Sequence, residues 1–387
     1  SNRIFESTFC LSLLLLIFLI ISCLFVHASS LLPPIPDSPV RGVLIFPNFG
    51  EAKANIATNT ITKIIAMKHL LATSITIALL SLGLAGCGEK QATKEVTSDA
   101  FVTIQGQDLI KPDGTKLFIM GTNLGNWLNP EGYMFKFNKT NSGRFINEMF
   151  CQLVGPDFTA DFWKAFKDNY VTREDIRFIK EQGANTIRLP FHYKLFTDED
   201  YMGLTAAQDG FARVDSLVEW CRESDLYLIL DMHDAPGGQT GDNIDDSYGY
   251  PWLFDSEVSQ QLYCDIWRRI ADRYKNEPVI LGYELFNEPI APYFENMEEL
   301  NGKLEDVYKK GVAAIREVDS NHIILLGGAQ WNGNFKPFKD SKFDDKIMYT
   351  CHRYGGEPTQ AAIQTIINFR DSVNPVSYTH LTLPTNR

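Results

Sequence analysis

The chain has 387 residues, 44% of them hydrophobic and 22% charged, with a formal net charge of −12. That length supports one large domain or two small ones around an ordinary core. The acidic balance argues against nucleic acid, whose phosphates need surplus Lys and Arg, and fits a neutral polymer such as a polysaccharide.

Residues 1–66 contain no Met; the first is Met67. An apolar run from Cys10 to Val26 is marginally long enough to span a membrane. A second signal begins inside the chain: Met67-Lys68-His69-Leu70-Leu71, an apolar run to Leu82, then Leu84-Ala85-Gly86-Cys87. A short basic start, an apolar stretch and small residues at the end make 67–86 a signal peptide. Residues 1–66 are therefore expected to be upstream, non-native sequence; the alternative is a genuine membrane anchor. The segment 67–86 resembles a bacterial lipoprotein signal with 84–87 as its lipobox. That resemblance implies lipidation at Cys87 and a secreted protein, lipid-anchored to the bacterial cell envelope. Residues 87–99 are polar and read as a tether.

Past the leader the cysteines are Cys151, Cys221, Cys264 and Cys351, without C-x-x-C spacing, so neither a zinc site nor a redox pair is expected. Cys221 and Cys264 fall in expected helices as buried apolar residues.

The body opens with a hairpin. Two apolar runs, 101–110 and 116–121, flank Pro112-Asp113-Gly114, and an Asp-Gly pair between such runs is a turn signal. Strand-like and helix-like stretches then alternate. Strands are expected at 117–123, 185–190, 226–233, 278–287, 322–327 and 346–352. Helices are expected at 172–183, 214–224, 256–275 and 300–318, with another starting at 361. Alternation of this kind implies parallel strands with right-handed crossovers. No G-x-G-x-x-G follows the first strand, which disfavours a dinucleotide fold. The expected architecture is a (β/α)₈ barrel with about six of its eight units present, spanning 100–375. Residues 376–387 pattern as neither a helix nor a core strand and are expected to be a non-native tail.

The stretch 278–289 organises the site. It is an apolar run that ends in Asn287-Glu288-Pro289, and Pro289 lacks the N–H that a ladder needs. A carboxylate and an amide are thus delivered to the C-terminal end of a buried strand, where barrels collect their chemistry. Side chains two apart on a strand share a face. Arg188, His233, His352 and Tyr354 are therefore expected to converge on the same rim. Each also has a bland reading: Arg188 as an ion-pair partner of Asp231 or Glu284 inside the barrel, His233 as a satisfied core histidine, Tyr354 as packing.

Four motifs carry a family resemblance: Ile187-Arg188-Leu189-Pro190, Asp231-Met232-His233, Phe286-Asn287-Glu288-Pro289 and His352-Arg353-Tyr354. In that order they resemble the family 5 glycoside hydrolases, and the segments 121–128 and 233–238 resemble the cellulase and exo-β-1,3-glucanase branches. The resemblance implies a retaining glycosidase acting on β-glucan, with no cofactor and no metal. Glu288 would be the acid/base, Asn287 would donate to the sugar 2-hydroxyl, and Arg188 would hold the nucleophile ionised. His233 and His352 would bind hydroxyls or orient carboxyls, and Tyr354 would hydrogen-bond the nucleophile. Trp127, Trp252 and Trp331 lie in or beside loops after strands as candidate sugar platforms, with one or two of them expected to be core aromatics instead. The family nucleophile is a Glu at the end of the seventh strand, which this chain is expected to lack; Glu284 and Glu357 replace it poorly. The alternatives are a non-catalytic glycan-binding lipoprotein and a β-mannan hydrolase. An aldolase or metal hydrolase is disfavoured, since no strand-end Lys and no His-x-His is present.

Overall fold

The computed structural model describes residues 97–199, 201–204, 206–339, 343–352, 360–373 and 378–380, all within the unit Lys94–Arg387. Cys87 and the leader, Tyr354 and Glu357 lie outside the described residues.

The chain enters through a small antiparallel meander: β1 (Thr103–Gln105), β2 (Asp108–Ile110) and β3 (Lys116–Leu117). The stretch 101–110, expected as one strand, is itself a hairpin. Gly106 turns the chain at φ 62°, a left-handed conformation that costs glycine least. The second turn sits at Asp113-Gly114 as expected. There the Lys111 N–H donates to the Thr115 carbonyl at 2.8 Å and the Asp113 carboxylate accepts from the Thr115 N–H at 2.9 Å.

Six parallel strands follow, each paired with the next in the chain: β4 (Gly121–Asn123), β5 (Thr186–His192), β6 (Tyr227–Asp234), β7 (Ile280–Glu284), β8 (Ile323–Gly327) and β9 (Ile347–Cys351). This curled sheet is an incomplete (β/α)₈ barrel. β10 (Tyr378–His380) adds three residues in parallel to β9. These three residues of the tail pair at the edge of the sheet, where open ladder groups accept extended backbone. β4 lies so close to β5 that a Cβ on Gly121 would meet the Thr186 carbonyl oxygen at 1.7 Å.

The crossover helices begin where the sequence supplies caps. α1 (Gly143–Val154) starts on Ser142, whose hydroxyl accepts from the Phe145 N–H, and α2 (Pro156–Asn169) starts on a proline. α3 (Arg173–Glu181) has a reciprocal capping box between Thr172 and Asp175. α4 (Ala207–Glu223), α5 (Glu257–Tyr274), α6 (Met297–Arg316) and α7 (Gln360–Val373) complete the layer. Among the described residues no helix is long and apolar enough to cross a membrane.

Strand alternation sorts the core. Leu228, Leu230, Ile324, Leu326, Ile347 and Tyr349 face the helices within one large cluster. Ile229, Leu325 and Met348 form a second cluster inside the barrel, closed from below by Val102, Leu109 and Leu117 of the meander. The foot of the barrel is thus plugged with aliphatic side chains, and polar residues begin one layer higher.

Candidate active site

Above the aliphatic plug the inward positions become Arg188, Asp231, Glu284 and Thr350, all buried. The Arg188 guanidinium holds this layer together. Its Nε and Nη2 donate to the two oxygens of Glu284 at 2.6 and 2.9 Å, and Nη2 also meets Asp231 Oδ2 at 2.9 Å and Asn287 Oδ1 at 3.0 Å. A planar fork against a carboxylate is the strongest geometry such a pair can take. Arg188 is therefore the ion-pair partner of both Glu284 and Asp231, and it also fixes the Asn287 amide.

One layer up stand His233, Asn287, Glu288 and His352. His233 Nδ1 lies 2.6 Å from Asp231 Oδ2, and its Nε2 lies 3.3 Å from Asn287 Nδ2. Burial pushes the His233 pKa down, but the Asp231 carboxylate outweighs it and the net shift is upward. His352 Nδ1 lies 2.6 Å from Glu288 Oε1, and its Nε2 lies 4.0 Å from Glu284 Oε1. Hydrogen-bonded and ion-pair contacts thus run from His233 through Asp231 and Arg188 to Glu284, and His352, 4.0 Å from Glu284, joins Glu288 to them.

The backbone that delivers Glu288 is not regular strand. β7 ends at Glu284, three residues before the expected end. Leu285 and Asn287 still donate to the carbonyls of Leu325 and Met232, at 3.2 and 3.3 Å. Glu288 then adopts φ 45°, the left-handed region that non-glycine residues rarely occupy. Two side chains from the loop after β6 hold it there. Gln239 Nε2 donates to the Asn287 carbonyl at 2.7 Å, and the Thr240 hydroxyl donates to the Glu288 carbonyl at 2.7 Å. Strained backbone maintained by buried hydrogen bonds is characteristic of functional positions.

Glu288, Asn287, His233 and Arg188 line a cavity of about 330 Å³. A fifth polar group, Glu131, was not singled out from the sequence. It lies in the loop after β4, and its Oε1 is 3.8 Å from His233 Nε2. Asn126, at φ 65°, accepts the Glu131 N–H at 3.0 Å and shapes the turn. Burial raises the Glu131 pKa to about 7; the His233 charge opposes that rise and the Glu288 charge adds to it. The one sequence signal was a carboxylate between Pro130 and Gly132 just past a barrel strand.

The three tryptophans part company. Trp127 is 1% exposed and its indole N–H donates to the Lys167 carbonyl at 2.8 Å, so the expectation that it stacks on sugar is corrected: it is a core residue. Trp252 is half exposed and lines a second cavity beside the first. Trp331 is 38% exposed at φ 59° in the turn after β8 and lines neither cavity.

A curled parallel sheet with a carboxylate, an amide, an arginine and two histidines at its C-terminal rim defines a barrel of the glycosidase type. The family model described as "Cellulase (glycosyl hydrolase family 5)" matches residues 148–379. The chain belongs to that family. It is 29% identical to a beta-xylosidase of Phanerodontia chrysosporium over 257 residues, covering 66% of this chain and 52% of the relative. It is 35% identical to endoglucanase C of Acetivibrio thermocellus over 195 residues, covering 50% of this chain and 53% of the relative. The chain thus spans about half the length of the curated relatives it matches. In fold it is similar to the crystal structure of an endogalactoceramidase, with a TM-score of 0.53 at 18% identity over 72% of this chain and 67% of that one.

Proposed function

We propose that the protein hydrolyses β-glucan by a double-displacement, retaining mechanism with Glu288 as the acid/base. The observation that carries this reading is the Glu288 carboxylate on its left-handed rim position, bonded to His352 at 2.6 Å and lining the same cavity as Asn287, Arg188 and His233. Family membership and the similarity to an endoglucanase support the substrate class. In this role Glu288 gives its proton to the departing sugar oxygen, and His352 keeps the carboxyl aimed. Asn287, clamped by Arg188, presents its amide N–H to the sugar 2-hydroxyl. His233, held through Nδ1 by Asp231, turns its Nε2 edge to a neighbouring hydroxyl.

The nucleophile is assigned to no described residue. Glu284 has both oxygens engaged by Arg188, is fully buried and does not line the cavity, so it is not placed to attack substrate. Glu131 holds its proton to about pH 7 and is a poor nucleophile below that. A retaining site needs a second carboxylate about 5–5.5 Å from the first. We assign that role to the seventh-strand Glu that the family resemblance implies, and to neither Glu284 nor Glu357. The test is the anomer first released from a gluco-oligosaccharide by the full-length protein, followed by NMR. Retention with glucan cleavage supports the reading; inversion, or no cleavage of any β-glucan, sinks it. We propose also that the protein is anchored to the cell envelope through Cys87, on the lipobox reading of 84–87. A mature N-terminus other than Cys87 would remove that proposal.

A further inference from the structure

The loop after β6 is joined to the segment that carries Glu288 by bonds running in both directions. The Gln239 amide donates to the Asn287 carbonyl and the Thr240 hydroxyl to the Glu288 carbonyl, each at 2.7 Å. In return the Ile290 and Ala291 N–H groups donate to the Gln239 and Thr240 carbonyls, each at 2.9 Å. Among these bonds lie two non-glycine residues in the left-handed region, Glu288 at φ 45° and Ile290 at φ 55°. Such backbone persists only where its surroundings over-determine it. Here Gln239 and Thr240, both fully buried, do so.

What holds that pair differs between its two members. Gln239 is fixed by its own side chain: Oε1 accepts the Ala235 N–H at 2.9 Å, and Nε2 also donates to the His233 carbonyl at 2.8 Å. Thr240 is fixed through its backbone. Its N–H and that of Gly241 donate to Asp245 Oδ2 at 2.6 and 2.8 Å, while Asp245 Oδ1 accepts the Ser247 N–H at 3.0 Å. One buried carboxylate thus gathers three N–H groups of a single loop. Bonds to a charged acceptor are about twice as strong as neutral ones. The next residue pins the loop on its other side: Asp246 accepts the Arg144 N–H at 3.0 Å and lies 3.5 Å from His192 Nε2. Asp245 does not line the catalytic cavity, so its influence on Glu288 passes through Thr240.

We propose that Asp245 is a positioning residue for proton transfer: its carboxylate sets Thr240, and Thr240 sets the direction in which Glu288 offers its proton. The proposal rests on the reading of Glu288 as the acid/base and extends it to what aims that carboxyl. Loss of the Asp245 carboxylate lets the Thr240 backbone drift and with it the Glu288 carbonyl, and a small misplacement of a catalytic group is costly in rate. The cost falls on the step that needs the proton. A glucan, whose leaving group must be protonated, bears it; an activated aryl glycoside is largely spared. A role in loop stability alone makes no such distinction.

The test is kcat/KM of the full-length protein on a β-gluco-oligosaccharide and on an activated aryl glycoside, with Glu288→Gln as the reference. On the oligosaccharide Asp245→Ala is expected to lose about thirtyfold and Thr240→Val about tenfold, and on the aryl glycoside each less than about threefold. Because the two act in series, the double variant is expected to lose no more than about thirtyfold on the oligosaccharide. Where Asp245→Ala does not fold, Asp245→Asn takes its place with a loss of about threefold and the same split, since its neutral oxygen accepts more weakly and its amide meets the Ser247 N–H. Equal losses on the two substrates, or a double variant whose losses multiply, overturn the positioning role; if Glu288→Gln still shows the split, the acid/base reading stands. Equal losses in Glu288→Gln itself, or a parent that cleaves no β-glucan, overturn both.

Discussion

Two histidine–aspartate pairs sit at opposite ends of the barrel, and they differ in what is left open. At the foot, where α6 turns into β8, His322 Nδ1 lies 2.5 Å from Asp319 Oδ2, which also accepts from the Tyr283 hydroxyl at 2.8 Å. Asp319 Oδ1 accepts the N–H groups of Asn321 and His322 at 2.7 and 3.2 Å, and His322 Nε2 meets the Glu277 carbonyl at 3.0 Å. Both ring nitrogens and both carboxylate oxygens have protein partners. At the rim, His233 and Asp231 make the same Nδ1 contact at 2.6 Å, but among the described residues Asp231 Oδ1 has no hydrogen-bond partner, and His233 lines a cavity. The same pair of residue types locks a helix–strand junction when every bond is internal, and leaves an edge turned to a cavity when it stands at the rim.

The largest expected effect separates the two ends by chemistry. In the full-length protein Glu288→Gln is expected to lower glucan hydrolysis by about 10²–10⁴-fold. An activated aryl glycoside needs less proton donation and should lose far less in its glycosylation step. Initial rates on both substrates decide it, and equal losses would reduce Glu288 to a binding group. Next in size is Arg188→Met, which leaves Glu284 and Asp231 buried without their cation. Breaking such a pair costs about 3–5 kcal/mol. Urea denaturation measures it, and an unchanged midpoint would mean the rim carboxylates are not held by Arg188.

The foot gives the contrasting result. Asp319→Asn is expected to cost about 2–3 kcal/mol, from weakened bonds to His322, Asn321 and Tyr283. Glucan hydrolysis should stay within about twofold, since Asp319 touches nothing at the rim. Burial raises the Asp319 pKa, but the bonds from His322 and its neighbours outweigh it and the net shift is downward. The stability it contributes is therefore present above its ordinary value of 3.8 and lost as pH falls below it. The variant's melting curve should lack that acid-side loss; a full acid limb in the variant would assign the loss to other carboxylates.

The order of the barrel strands could be read from the chain because buried parallel strands are unbroken apolar runs ended by Gly, Pro or a polar residue. Arg188, His233 and His352 could be placed on one rim because alternation fixes which face each occupies. What escaped depends on contacts distant in sequence. α1 and α2 were unassigned because their exposed aromatic residues, such as Phe158 at 73% and Phe145 at 49%, blur the apolar stripe. Missing α2 made Trp127 look like a loop aromatic, since the carbonyl that binds its indole N–H belongs to Lys167 of that helix. Past the end of β7, the Asn287 and Glu288 carbonyls are bound by Gln239 and Thr240 of another loop, which the local sequence does not announce. Glu131 reaches His233 across 102 positions of sequence, and no local pattern announces such an approach.

Glu131 also supplies the smallest and most selective contrast between rim and foot. Its pKa is raised from 4.5 to about 7, first by burial. The unfolded chain releases this proton near 4.5, while the folded protein keeps it to about 7. The folded state is therefore favoured by the bound proton below 4.5, and that stability is lost as pH rises toward 7. The sign is opposite to that of Asp319. Because Glu131 lines a cavity that water can enter, screening should trim the effect to about 1–2 kcal/mol. Glu131→Gln removes the titration, so parent and variant melting temperatures should run together near pH 4 and separate by pH 8, with the parent falling further. Asp319→Asn should lie below its parent at neutral pH and converge with it at the acid end, where the parent loses that stability. If the Glu131→Gln and parent curves stay parallel from pH 4 to 8, Glu131 ionises freely in the fold, and the rim holds a solvated carboxylate where a protonated one is expected.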